Sequence, residues 1–131
     1  MLSMIPVSLN ASEPWKGTII SDTENIRLKF DLYNESIEVP GMEMFGKMNG
    51  YMNGNIYGVW SITSCEIKDS IHASIHLSND LGSDTQVCNL TILNDSIYKL
   101  ELKGGTVIKK VEKKKLVKIP STLTMRKSKY L

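Results

Sequence analysis

The chain has 131 residues, of which 41% are hydrophobic and 23% charged, with a formal net charge of +2. Such a length supports one hydrophobic core, and such a balance excludes a disordered chain or a bundle of membrane helices. The charge is segregated: residues 1–98 carry 5 basic and 12 acidic side chains, net −7, whereas residues 99–131 carry 11 and 2, net +9.

Residues 1–12 read as a loose leader and 13–131 as a single domain. The opening from Met1 to Leu9 has an apolar middle, no basic start and a proline at position 6, which makes a poor secretory signal. The expectation is a cytoplasmic protein, or a secreted or periplasmic one from which a leader was removed. Glu13 to Ile20 predicts the first strand, ended by the polar run Ser21 to Asn25. Ile26, Leu28, Phe30 and Leu32 then alternate with Arg27, Lys29, Asp31 and Tyr33, the period of a strand with one dry and one wet face.

Asn34-Glu35-Ser36 and Pro40-Gly41 predict turns on either side of Ile37-Glu38-Val39. From Met42 to Trp60 glycine recurs at 46, 50, 54 and 58, with Met44, Met48, Met52, Ile56 and Trp60 between them on the same parity. In extended chain all of these face one way, large apolar side chains alternating with glycine, as in one wall of a tightly coiled sheet. The run exceeds an ordinary strand of about 3 to 10 residues. A turn is therefore expected, at Met52-Asn53-Gly54, where a three-residue loop preserves the facing. A glycine-zipper membrane helix is set aside, because Lys47, Asn49, Asn53 and Asn55 interrupt the run.

Beyond Trp60 a strand continues to about Ile67, Lys68-Asp69 turns, and Ile71, Ala73, Ile75 and Leu77 alternate with His72, Ser74, His76 and Ser78. A polar loop at 79–85 leads to a strand with Cys88, Leu90 and Ile92 on one face. Asn94-Asp95 turns into a strand carrying Tyr98, Leu100 and Leu102, and Gly104-Gly105 turns again. The lysine-rich segment from Thr106 to Ile119 reads as two strands pivoting near Lys113 to Lys115, and Pro120 opens the last strand, with Leu123 and Met125 on one face. Nine or ten strands without an amphipathic helix predict an all-β fold: a single antiparallel up-and-down barrel of about 8–10 strands, with a β-sandwich as the alternative. Cys65 and Cys88 fall on strands separated by an intervening one, which predicts two buried thiols in place of a disulfide.

In this strand pattern the chain resembles the calycin group, the lipocalins and fatty-acid-binding proteins. Lipocalins place a Gly-x-Trp on the first strand and, on the last, an Arg that packs over that Trp. The corresponding residues are Trp15 with Gly17, and Arg126. Only Ser21 to Asn25 separates the first two strands, so the helical lid of the fatty-acid-binding proteins is missing from this pattern. The resemblance implies a lidless barrel around an apolar ligand.

His72 and His76 share a strand face but stand roughly 13 Å apart, too far to hold one metal ion together. Neither a Gly-x-Ser-x-Gly elbow nor a phosphate loop occurs, and no enzyme activity, metal or cofactor is expected. Met44, Met48, Met52 and Trp60 are the candidates for a ligand-cavity wall, methionine adapting to irregular apolar shapes. Lys113, Lys114 and Lys115 are the candidates for steering an acidic protein partner. A lysine run broken by valines and leucines also fits an edge-protecting strand lying beside acidic ones. Nucleic acid is argued against by the scarcity of arginine, only Arg27 and Arg126, and by the lack of interleaved aromatics. Two functions follow for a chain with no transmembrane segment. One is a non-enzymatic protein enclosing an apolar small molecule; the alternative is a protein-interaction module such as an inhibitor or toxin-neutralising, immunity-type protein.

Overall fold

The computed structural model describes residues 13–79 and 84–128; the expected leader at 1–12 and the middle of the predicted loop at 79–85 lie outside them. Twelve strands follow in order: β1 Lys16–Ser21, β2 Ile26–Asp31, β3 Ile37–Glu38, β4 Lys47–Met48, β5 Gly50–Gly54, β6 Trp60–Ile67, β7 His72–Asn79, β8 Thr85–Ile92, β9 Ile97–Gly105, β10 Lys109–Glu112, β11 Lys115–Lys118 and β12 Thr122–Lys127. Eight of them close an antiparallel barrel in the order β1-β12-β9-β8-β7-β6-β5-β2. Neighbours around the wall are successive among these eight except at the β1–β12 seam, so the fold is an all-β, antiparallel up-and-down barrel. Two small ribbons, β3–β4 and β10–β11, are inserted into the meander.

The period-two pattern decides what points inward. Ile26, Leu28 and Phe30 of β2, Ala73, Ile75 and Leu77 of β7, Leu90 of β8, Leu100 of β9 and Met125 of β12 are all buried in one cluster. An eight-stranded barrel is about wide enough for its own side chains to fill, and these fill it. At one end Trp15 stands edge-on to Tyr98, which stands edge-on to Phe30, each ring pair 6.1 Å between centroids. The Tyr98 hydroxyl donates to the Pro14 carbonyl, and burial pushes this phenol up to about 12. At the other end Ile108 and Ile119, which flank the β10–β11 ribbon, are buried and joined by an Ile119 N–H to Ile108 carbonyl bond of 3.1 Å. Beside them the Gln86 side chain donates to the Thr106 carbonyl at 3.0 Å and accepts from the Gly104 N–H at 2.8 Å.

The glycine-spaced stretch departs from the expected hairpin. Residues 43–45 form a 3₁₀ turn, Gly50 to Gly54 run as one uninterrupted strand, and the chain reverses over residues 55–59, so that Met52 lies opposite Trp60. The reason lies across the sheet. Phe30 is flanked by Gly17 on β1 and Gly50 on β5, with φ of 141° and 148°. A Cβ on Gly50 would lie 2.1 Å from the Lys29 carbonyl oxygen and 2.8 Å from the Phe30 Cα. Gly54, opposite Ile26, meets the Asn25 carbonyl in the same way at 2.5 Å. These glycines let neighbouring strands close in and coil. What lies beside them is backbone, where the sequence pattern suggested a cavity wall.

Two register shifts complete the barrel. One, between Ile62 and Ser64, flips the parity of β6 and returns Cys65 to the inner side. The other lies within the β8–β9 pairing and keeps Gly104-Gly105, read as a turn, inside β9. Cys65, Ile75 and Cys88 then occupy one rung of three adjacent strands. Two strand spacings, roughly 9.5 Å, exceed the reach of a disulfide, and both thiols are free. Burial pushes the Cys88 thiol up to about 12.

Gly50→Ala should lower the free energy of unfolding by more than about 2 kcal/mol, because a positive φ and a backbone clash coincide there. Gly104→Ala, which meets nothing within 4 Å, should stay within about 0.5 kcal/mol of the parent. Urea unfolding of the two variants checks both values.

Candidate interaction site

The basic excess of the sequence gathers at one end of the barrel, on the β10–β11 ribbon. Residues 109–118 hold six lysines against Glu112, net +5, so the remainder of the chain carries net −3. The ribbon pairs Lys109 with Lys118, Lys110 with Val117, Val111 with Leu116 and Glu112 with Lys115. Alternation puts Lys110 and Val117 on the face of the buried Ile108 and Ile119, toward the barrel. The opposite face presents Lys109, Val111, Leu116 and Lys118, with Val111 55% and Leu116 53% exposed.

The turn at its tip is Lys113-Lys114, with φ of 52° and 67°. A two-residue hairpin with positive φ at both central residues is the geometry that Asn-Gly fits best. A residue with a Cβ in this left-handed region costs roughly 1–2 kcal/mol. Lys109 directly opposite Lys118 adds like-charge repulsion across the ladder. Both departures from favourable hairpin chemistry place cations.

Three contacts hold the ribbon and its surroundings. The Tyr57 N–H donates to the Lys109 carbonyl at 2.7 Å, along the outer edge of β10. Lys110 Nζ lies 3.0 Å from Glu24 Oε1 and 3.8 Å from Glu112 Oε2, which raises the ammonium pKa, chiefly through the Glu24 hydrogen bond. At the seam, where β1 and β12 pair at Ile19 with Lys127 and Ile20 with Arg126 and the Ser128 N–H donates to the Thr18 carbonyl at 2.8 Å, the Arg126 guanidinium forks onto Asp22 at 2.6 and 3.0 Å. That hydrogen bond holds the Asp22 carboxyl below its ordinary range. The stabilisation is therefore present above the unfolded carboxylate pKa and lost as pH falls through the lower folded value. Basic late strands do lie beside an acidic early turn, as the charge segregation suggested. Arg126 and Trp15 have separate partners, Asp22 and Tyr98, in place of the stacked pair that the lipocalin resemblance implies.

Two recesses adjoin this end. A groove of about 540 Å³ follows the seam between Asp22, Glu24, Thr122, Thr124 and Arg126, and its charges are already paired with one another or with Lys110. A second, of about 270 Å³, lies between the ribbon and the 55–59 loop, with Trp60, Tyr57, Val107 and Leu116 among its lining. Apart from Lys109, the polar side chains that line it have partners within the protein. The Trp60 indole N–H donates to the Tyr57 carbonyl at 3.3 Å, and Asp84 accepts from the Asn79 amide at 2.9 Å and the Thr106 hydroxyl at 3.4 Å.

The cavity-wall candidates are dispersed. Met52 and Trp60 face each other across β5 and β6, Met52 within the packed core and Trp60 between that core and the second recess. Met44 sits on the 3₁₀ turn, 84% exposed, and Met48 is half-buried on β4 opposite Ile37. A shared face requires continuous extended chain, and the backbone breaks it between Pro40 and Gly46. Lys113, Lys114 and Lys115, by contrast, are brought together at the ribbon tip. His72 and His76 lie exposed on β7, as their alternation predicted. His72 Nδ1 is 3.0 Å from Asp69, and His76 Nδ1 is 3.1 Å from the Ser64 hydroxyl.

Among the described residues no group of three His, Cys, Asp or Glu side chains is placed to hold a metal ion, and no helix is long and apolar enough to cross a membrane. Sequence reasoning missed Asp22 and Glu24. Their partners stand as far as 86 and 104 residues away, and no local spacing signals such pairs. No protein-family model, curated protein or solved structure matches the chain.

Replacing Lys113-Lys114 by Asn-Gly should relieve the left-handed strain and slow amide exchange at Glu112 and Lys115 by about fivefold or more. Exchange as fast as in the parent would show that the turn stores no strain.

Proposed function

We propose that this protein is a non-enzymatic protein-interaction module that binds an acidic protein surface through the β10–β11 ribbon. The observation that carries this reading is the pair of lysines in the left-handed turn. Edge protection accounts for Lys115 and Lys118, which lie along β11, but a turn has no ladder edge to protect. Strain of this kind persists where function requires it. An all-lysine tip ahead of a barrel that is otherwise net negative concentrates the field in one place, which steers an oppositely charged partner.

Charge steering from a small rigid scaffold suits an inhibitor or a toxin-neutralising partner, which works by occupying a surface and needs no chemistry of its own. An apolar small molecule would compete with Phe30, Met52, Ile75, Leu90 and Leu100 for the barrel interior. The second recess, about 270 Å³, falls below the roughly 300–1,000 Å³ of ordinary ligand pockets, and the seam groove, about 540 Å³, lies within that range but carries the ion-paired Asp22, Glu24 and Arg126.

Reversing Lys113, Lys114 and Lys115 to Glu should slow association with an acidic polypeptide probe, poly-glutamate, at least about tenfold at low salt and flatten its dependence on ionic strength. Matched circular dichroism and urea unfolding separate this from loss of fold. An association rate indifferent to both the reversal and salt contradicts the proposal.

A further inference from the structure

The recess beside the ribbon is more than a by-product of its attachment. Its floor is Trp60, 4% exposed, and its walls include Tyr57, Val107 and Leu116, which are 67%, 40% and 53% exposed. The polar atoms at its rim are spoken for, since Asp84 is held by Asn79 and Thr106 and the Trp60 indole by Tyr57. What remains unmatched is apolar surface and one cation, for Lys109 at the edge of the recess forms no ion pair with any described residue. An occupant needs an apolar body and an adjacent negative charge. The volume fits one large side chain and not a drug-sized molecule.

We infer that this recess is the anchor site for a single aromatic or large aliphatic side chain carried by an acidic segment of the partner protein, with a neighbouring carboxylate of that segment on Lys109. The inference rests on the ribbon being the partner-binding element and adds what specifies the partner. Lysines at the tip attract any acidic surface and discriminate little, whereas a desolvated apolar pocket beside them selects for an anchor residue.

Two synthetic peptides test it against the full chain: Glu-Glu-Gly-Phe-Gly-Glu-Glu and the same sequence with Ala in place of Phe. Binding is followed by the indole N–H signal of Trp60 in a nitrogen-15 correlation spectrum, with Trp15 at the opposite end of the barrel as internal control. The Phe peptide should bind about tenfold more tightly than the Ala peptide and should move the Trp60 signal but not that of Trp15. Filling the recess with Leu116→Phe should erase the difference between the peptides and leave the Ala peptide's affinity unchanged.

Equal affinities in the parent, both falling with salt, would overturn the anchor site while leaving the acidic-partner reading in place. A Phe preference that persists in Leu116→Phe would also overturn it. Failure of both peptides to bind at low salt would overturn the acidic-partner reading itself, and the anchor with it.

Discussion

Closure of the sheet around Phe30 is the constraint on which the remaining structure depends. A ring of this size faces the barrel axis only if the strands on either side approach without side chains, and Gly17 and Gly50 provide that on the two neighbours of β2. The coiling they permit brings β1 round to β12, where two rungs, a Ser128 N–H to Thr18 carbonyl bond and the Asp22–Arg126 fork close the seam. The outcome is an interior filled by its own side chains, sealed by Trp15 and Tyr98 at one end and by Ile108 and Ile119 at the other.

A filled barrel moves the chemistry to its ends. The end that carries the ribbon departs from what favours a stable hairpin: lysines in left-handed backbone, a lysine opposite a lysine, and an apolar pair left in solvent. Elsewhere Met44 and Phe45 are also left in solvent and the buried Thr18 hydroxyl has no hydrogen-bond partner, but among the described residues left-handed lysines and a lysine–lysine rung occur at the ribbon alone. Conflicts of this kind concentrate at functional sites in proteins whose local and global preferences otherwise agree. A rigid barrel also suits a recognition element, because little conformational entropy remains to be lost on association.

The barrel was legible where the period of two was unbroken. β2, β7 and β12 read directly from Ile26-Leu28-Phe30, Ala73-Ile75-Leu77 and Leu123-Met125, and the free thiols followed from a meander that separates Cys65 from Cys88 by one strand. The stretch from 42 to 60 was misread in its turns. Its glycines suggested one continuous face, but the 3₁₀ turn at 43–45 broke that face, and Gly54 was needed opposite Ile26. Asn53-Gly54 resembles a hairpin turn in sequence; only the register with β2 shows why it is not one. The lysine tip was legible as a pivot between two strands. Its left-handed strain and the clamps from Glu24 and Tyr57 were not, being products of backbone geometry and of contacts distant in sequence.

The most direct test of this account is native mass spectrometry of the protein purified from its own source, compared with its denatured mass. A complex with a second, acidic protein that dissociates as salt is raised is the result expected of a module acting through the ribbon. A small-molecule excess that disappears on denaturation, with no second protein present, would contradict it and return the barrel to ligand carriage.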